Sequence, residues 1–97
     1  MTDLDELKAQ TELILARIFP AVEIRTIEAD ETLDSGGDES LRITIVVRQR
    51  PPRAEAQKMS NVVDQLRSWL AAKGDDRFPY VKLLSEAEER RLQHAGE

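Results

Sequence analysis

The chain has 97 residues, a net charge of −5 and no cysteine. A chain of this length forms one domain with a modest core, because it can bury only about 60–70% of its unfolded surface. The lack of cysteine excludes disulfides, thiolate metal sites and thiol nucleophiles. The acidic balance argues against generic attraction to nucleic acid or anionic membranes, which depends on an excess of Lys and Arg.

Residues 1–6 lack the basic and then apolar pattern of a secretion signal, and no segment is an apolar run of about 20 residues. We therefore expect a cytoplasmic, bacterial-type domain over residues 1–97, without a membrane partner.

The first segment predicts an amphipathic helix. The residues that share one face at three- and four-residue spacing are Leu4, Leu7, Thr11, Ile14, Leu15 and Ile18. Thr2 is the expected N-cap, with Asp5 at the third position of a capping-box-like arrangement. Pro20 ends the helix, because it pushes the preceding residue out of the α region. Leu13 lies off the main stripe and is either an isolated exposed leucine or part of a partner-facing patch.

Two strands with an acidic turn between them should follow. Residues 22–29 read as the first strand, with a change of parity at Thr26 that indicates either a bulge or the loss of a covered face. Residues 41–48 predict the central strand, because apolar side chains occupy every odd position. Glycines 36 and 37 mark the turn, and we expect the acidic tip, residues 30–40, to be mobile.

The second half of the chain predicts a helix, a strand and a last helix. Pro52 should open the helix, whose apolar stripe is Met59, Val63, Leu66 and Leu70, flanked by Val62 and Trp69. Residues 78–84 form the third strand, where Pro79 is tolerated near the start of an edge strand. Ser85 and Glu88 make a capping box for the last helix, which runs to about residue 93. The tail, residues 94–97, should be mobile.

These elements predict an α+β two-layer sandwich in the order α-β-β-α-β-α. Since strand–helix–strand crossovers are right-handed in nearly all cases, the third strand should lie parallel to the second. The expected sheet is three-stranded and mixed, in the order 1-2-3, with the helices packed on one face. The other face is then left open.

The element order resembles that of BolA-like proteins and of type II KH domains. At the start of the third strand, where the BolA-like proteins have a metal-associated histidine, the chain has Phe78-Pro79-Tyr80-Val81. An iron–sulfur partnership is therefore not implied. The two glycines of the turn and Gly74 lack the G-x-x-G spacing of a KH domain. The resemblance covers the layout and carries no functional residue to this chain.

No residue set points to catalysis. The single histidine, His94, should be an ordinary solvated side chain, and no Ser-His-Asp set or nucleophile elbow occurs. Aligning Gly36 with the glycine of a calcium loop puts Leu33 and Arg42 at two ligand positions, so that motif fails. We expect a protein that is not an enzyme and has no catalytic, cofactor or metal residues and no cofactor.

Binding is the preferred interpretation. The open face is expected to be positive and to carry the candidate binding residues Arg25, Arg42, Thr44, Arg48, Tyr80 and Lys82. Arg50 and Arg53 are candidate loop contacts. A sheet covered on one face has free edges, so we predict a homodimer or a complex with another protein. The alternatives are weak binding of single-stranded nucleic acid through the basic and aromatic face, and a small metal-binding or regulatory protein.

Overall fold

The computed structural model describes residues 2–94. In chain order the elements are α1 (Leu4–Ile18), β1 (Ile24–Leu33), β2 (Glu39–Val47), α2 (Arg53–Ala56), α3 (Met59–Ala72), β3 (Phe78–Ser85) and α4 (Glu86–His94). The predicted α+β class and element order are confirmed, with the second helical segment divided into α2 and α3. Residues 95–97 of the predicted tail and the side chain of His94 lie outside the described part of the chain.

The sheet has the predicted order. β1 pairs antiparallel with β2, and β2 pairs parallel with β3. The register of β1 shifts between Ile24 and Thr26, so the change of parity in the sequence is a β-bulge. β1 begins later and ends later than predicted, since its pairing with β2 continues to Leu33 and Glu39. Much of the predicted acidic tip is therefore paired strand, and its mobility stays a prediction.

The core lies between the sheet and the two long helices. The odd residues of β2, Leu41, Ile43, Ile45 and Val47, are buried against α1 and α3. α1 contributes the predicted stripe, of which Leu7, Thr11, Ile14 and Leu15 are buried. The central strand is therefore covered on the predicted side, where each large side chain contributes about 1.5–3 kcal/mol on burial.

The stripe of α3 is rotated from the prediction. Val62, Leu66 and Leu70 are buried, whereas Met59 and Val63 are only partly buried. α3 ends in a Schellman motif, in which Gly74 has a φ of 76° and the Asp75 N–H donates to Leu70 O at 3.0 Å. This turn delivers the chain to β3.

The N-terminal cap of α1 also differs from the prediction. Asp3 is the N-cap, and its side chain accepts a hydrogen bond from the Asp5 N–H at 3.4 Å. Thr2 does not cap the helix, because its buried Oγ has no hydrogen-bond partner among residues 2–94, while its N–H donates to Asp75 Oδ2 at 3.2 Å and its carbonyl accepts from Arg77 Nη2 at 3.3 Å. A long-range contact thus overrides the local capping signal.

Candidate functional site

The open face is the side of the sheet opposite α1 and α3, and the strand register defines its members. Because side chains alternate across a strand, the partners of the even residues of β2 lie on this face. Together with those β2 residues, the members of the open face are Thr26, Glu28, Asp30 and Thr32 from β1, Ser40, Arg42, Thr44 and Val46 from β2, and Phe78, Tyr80, Lys82 and Leu84 from β3. The face therefore consists of cross-strand rows.

Four of the predicted binding residues lie together in the middle of this face. Arg42 pairs with Tyr80, and Thr44 pairs with Lys82 in the adjacent row. The bulge carries Arg25 near the start of β1, where the Arg25 guanidinium lies 2.5 Å from the Glu86 carboxylate of α4.

The remaining predicted arginines lie at that same end of the sheet. Arg48 follows the end of β2, and its nearest carboxylate is that of Glu23 at 3.9 Å. Arg50 contacts Glu88 of α4 at 3.1 Å. Arg53, the first residue of α2, is exposed. The residues proposed from the sequence therefore form two groups, one in the middle of the open face and one around the loop after β2.

The open face carries both signs of charge, so the expectation of a positive face is wrong. The bulge reverses the parity of β1 and places Glu28 opposite Thr44 and Asp30 opposite Arg42. The Arg42 guanidinium lies 3.7 Å from the Asp30 carboxylate. An acidic strand thus borders a basic and aromatic pair of strands.

Two aromatic side chains form an exposed pair on β3. Phe78 and Tyr80 are 39% and 46% exposed, and their ring centroids lie 4.7 Å apart at an interplanar angle of 52°. The Arg67 guanidinium of α3 lies 5.2 Å from the centroid of the Phe78 ring, within the range of a cation–π contact. These contacts hold a preformed apolar platform at the edge of the sheet.

The other end of the open face is closed by α4, a role that the sequence did not indicate. Val46 and Leu84 lie on the open face and yet are only 2% and 9% exposed, and α4 contacts both β2 and β3. The predicted capping box is present, since Ser85 Oγ accepts from the Glu88 N–H at 3.1 Å. The Ser85 N–H, which donates to the Glu88 carboxylate, lowers the pKa of Glu88, and Arg50 adds to this effect, although burial opposes it. The alternation in residues 41–48 places Val46 on the face that was expected to be open, and that expectation is wrong for Val46, because α4 shelters it.

The two sheet edges differ in chemistry. Among residues 2–94, β1 and β3 each pair only with β2, so each leaves one edge without a strand. β3 presents Phe78 and Tyr80 on one side and the partly buried Val81 and Leu83 on the other. β1 carries three carboxylates in four residues, those of Glu28, Asp30 and Glu31.

A buried ion pair lies before β3, in a segment that reads as a polar connector in the sequence. Arg77 donates from Nε to Asp75 Oδ1 at 3.0 Å and from Nη2 to Asp75 Oδ2 at 2.7 Å, and both side chains are almost fully buried. The Arg77 and Thr2 N–H groups also donate to this carboxylate. These donors hold the pKa of Asp75 well below its usual range, although burial opposes the shift. Nothing in the sequence indicated this pair beyond an Asp and an Arg two residues apart before β3.

Near this ion pair, a hollow of about 200 Å³ is lined by Glu31, Glu39, Ser40 and Arg77, among others. A second hollow, of about 520 Å³, is lined by Glu23, Arg48, Arg50, Pro51 and their neighbours. It is open to solvent and has carboxylate and guanidinium groups on its walls.

Within the described part of the chain, no three Asp, Glu or His side chains are grouped closely enough to hold a metal ion. None of the helices in residues 2–94 has the length and apolar content needed to cross a membrane. Comparisons with protein-family models, with curated proteins and with solved structures found no match to this chain.

Proposed function

We propose that this chain is a protein-interaction domain that self-associates by antiparallel pairing of two β3 edges. The observation that carries the proposal is the exposed pair of tilted rings, Phe78 and Tyr80, on an edge strand. Contiguous exposed apolar surface on a small domain is typical of an interaction site. Pairing of the two edges would produce a continuous six-stranded sheet with two-fold symmetry.

The side chains on both sides of β3 support burial by a partner. Val81 and Leu83 face the core side but are only partly buried, because no strand lies beyond them in residues 2–94. A second strand would cover these side chains as well as Phe78 and Tyr80. β1 is a poor edge for the same purpose, since two copies would oppose carboxylate to carboxylate, which destabilises a strand pair.

Antiparallel pairing also matches charged and aromatic groups. If the two-fold axis passes beside Val81, residues at equal distances on either side of it become partners. Tyr80 then lies opposite Lys82 of the partner subunit, where the ammonium group can contact the ring. This contact occurs twice in the dimer.

The overall charge distribution favours the same orientation. The acidic turn at Asp34 and Asp38 lies at one end of the sheet, and the loop that carries Arg48 and Arg50 lies at the other end. Antiparallel association brings the acidic end of each copy to the same side of the dimer as the basic end of the other. Parallel association would bring like ends together.

Light scattering during size-exclusion chromatography tests the proposal. We expect a mass near twice the 11.0 kDa of the chain at micromolar concentrations. Tyr80→Lys places two lysines opposite each other in both symmetry-related positions. Each of the two opposed lysine pairs should cost about 1 kcal/mol, so the dissociation constant of the dimer should rise by about 30-fold.

A charge exchange provides the specific control. Adding Lys82→Glu to Tyr80→Lys restores an opposite-charge pair and should restore much of the dimer. Leu13→Lys changes an exposed apolar residue of α1, on the opposite layer, and should leave the dimer unchanged. A monomer at high micromolar concentration, or equal weakening by Leu13→Lys, contradicts pairing through β3.

A second candidate, binding of single-stranded nucleic acid, is favoured by one juxtaposition. Tyr80 pairs with Arg42 and lies one row from Lys82, so a stacking surface adjoins two cationic groups. Glu28 and Asp30 on the same face oppose this function. The test is titration of a labelled oligonucleotide against the wild type and the Arg42→Glu, Lys82→Glu double variant. Absence of binding by the wild type at low salt rules this candidate out.

A further inference from the structure

We infer that the outer edge of β1 accepts an extended, Lys- or Arg-rich segment of another protein as an added strand. β1 is ten residues long, contains no proline and pairs only with β2 among residues 2–94. An edge strand of this kind presents alternate N–H and C=O groups to solvent, and these groups are the template for strand addition. The bulge at Ile24 and Thr26 limits the regular edge to residues 26–33, a length of about 27 Å.

The side chains that flank this edge define the chemistry of the partner. Glu28 and Asp30 project on the open face, whereas Glu31 projects on the opposite side and is 68% exposed. An added strand would therefore meet carboxylates on both sides. The acidic character continues through the turn, since no basic residue occurs between Glu28 and Ser40. Two of these carboxylates face a cation of the chain itself, Arg42 at 3.7 Å from Asp30 and Arg77 at 3.9 Å from Glu31, both near the outer limit of an ion pair.

Charge and proline content exclude a second copy of this chain as the occupant. Two β1 edges would place carboxylates opposite one another, which is unfavourable. The basic segment of the chain itself, residues 48–53, contains Pro51 and Pro52 and cannot form the required ladder of hydrogen bonds. β3 has a single lysine, Lys82, so it lacks basic residues at alternate positions. The complementary strand therefore belongs to a different protein, and its basic residues recur at alternate positions.

Fluorescence anisotropy with a labelled eight-residue peptide of alternating Val and Lys tests this inference. We expect saturable binding at least tenfold tighter than that of the matched Val and Glu peptide. Replacing Glu28 and Glu31 together by Glu28→Lys and Glu31→Gln should weaken binding of the Lys peptide at least tenfold. Glu12→Lys, an exposed charge reversal on α1, should leave that affinity unchanged.

Two N-methylated peptides separate strand addition from simple charge attraction. One carries N-methyl groups on its four lysines, and the other carries them on its four valines. The backbone N–H groups of alternate residues in an added strand point towards β1, and those of the other residues point away from it. One methylation pattern should therefore abolish binding, and the other should be tolerated. Binding that survives both patterns, or that is lost with both, overturns the inference, as does equal binding of the Glu peptide.

The outcome is independent of dimerisation. The Tyr80→Lys variant alters only the β3 edge, so it should bind the Lys peptide with the affinity of the wild type. If the wild type is dimeric, and the variant is monomeric and binds the peptide, both proposals are supported. A monomeric wild type that binds the peptide contradicts only the β3 dimer, and a dimeric wild type that fails to bind it contradicts only the β1 edge.

Discussion

Arg77→Met should be among the most destabilising single substitutions in this chain. The change keeps an unbranched apolar stem but removes the guanidinium cation, and it leaves the Asp75 carboxylate buried without its counter-charge. Two of the four protein donors to that carboxylate disappear, namely Arg77 Nε and Nη2, while the N–H groups of Arg77 and Thr2 remain. The same substitution releases the hydrogen bond to the Thr2 carbonyl that holds the N-terminal segment.

The expected cost follows from these contacts. Each lost charge-assisted hydrogen bond is worth about 1.5–3 kcal/mol, and removing one partner of a buried ion pair costs about 3–5 kcal/mol in total. For a domain of this size, the midpoint of thermal unfolding should fall by about 12–40 °C. Because the whole free energy of unfolding of a small domain is about 5–15 kcal/mol, the variant should be close to unfolding at room temperature.

Urea unfolding followed by circular dichroism measures this cost. A cycle with Asp75→Asn, Arg77→Met and the double variant isolates the interaction between the two side chains. The destabilisation of the double variant should be smaller than the sum of the two single variants by at least about 1.5 kcal/mol. Residues in contact usually interact by about 0.5–3 kcal/mol in such a cycle. A cost below about 1 kcal/mol for Arg77→Met, or strict additivity, refutes the view that this pair anchors the start of β3.

The pH dependence of stability provides a second measurement of the same pair. The pKa of Asp75 is lower in the folded than in the unfolded protein. Its contribution is therefore fully present above the ordinary aspartate pKa of about 4 and is lost as the pH falls towards the folded-state value. Below pH 4, the wild type should lose stability more steeply than Asp75→Asn. Parallel curves for the two proteins would contradict this assignment.

Four further substitutions, one of them a control, test other parts of the fold. Leu66→Ala empties a fully buried position and should cost about 2–5 kcal/mol in urea unfolding, whereas Leu13→Ala at an exposed position should stay within about 0.5 kcal/mol of the wild type. Equal costs would contradict the assignment of the core. Ser85→Ala removes the N-terminal cap of α4 and should cost about 0.5–2 kcal/mol, measured as faster amide hydrogen exchange in α4; unchanged exchange would show that the cap is dispensable. Gly74→Ala introduces a side chain at a φ of 76° and should lower the free energy of unfolding by about 1 kcal/mol. An unchanged free energy of unfolding would contradict the left-handed conformation at this position.

Part of the candidate site could be predicted from the sequence. The alternation in residues 41–48 placed Arg42 and Thr44 on one face, because the period of a strand is two and the odd positions are apolar. The same reasoning placed Tyr80 and Lys82 on that face of β3, and the register confirms that they adjoin Arg42 and Thr44. The functional role of this surface remains a proposal.

The parts that were predicted wrongly depend on contacts distant in sequence. The exposure of Val46 could not be read from alternation alone, because α4 returns to cover it. The charge of the open face depended on the bulge at Ile24 and Thr26, which moved Glu28 and Asp30 onto it. The buried state of Arg77 depended on Thr2, which lies 75 residues away in the chain.

The sequence by itself determined the α+β class, the element order and the apolar side of each long element, because hydrophobic periodicity and local turn chemistry are properties of neighbouring residues. The tertiary structure decided which polar residues share a surface, which edge is apolar and which is acidic, and which ion pair is buried. The physical reason is that burial and charge pairing depend on the residues that the fold brings together, and in this chain a single-residue bulge and a nine-residue terminal helix changed both.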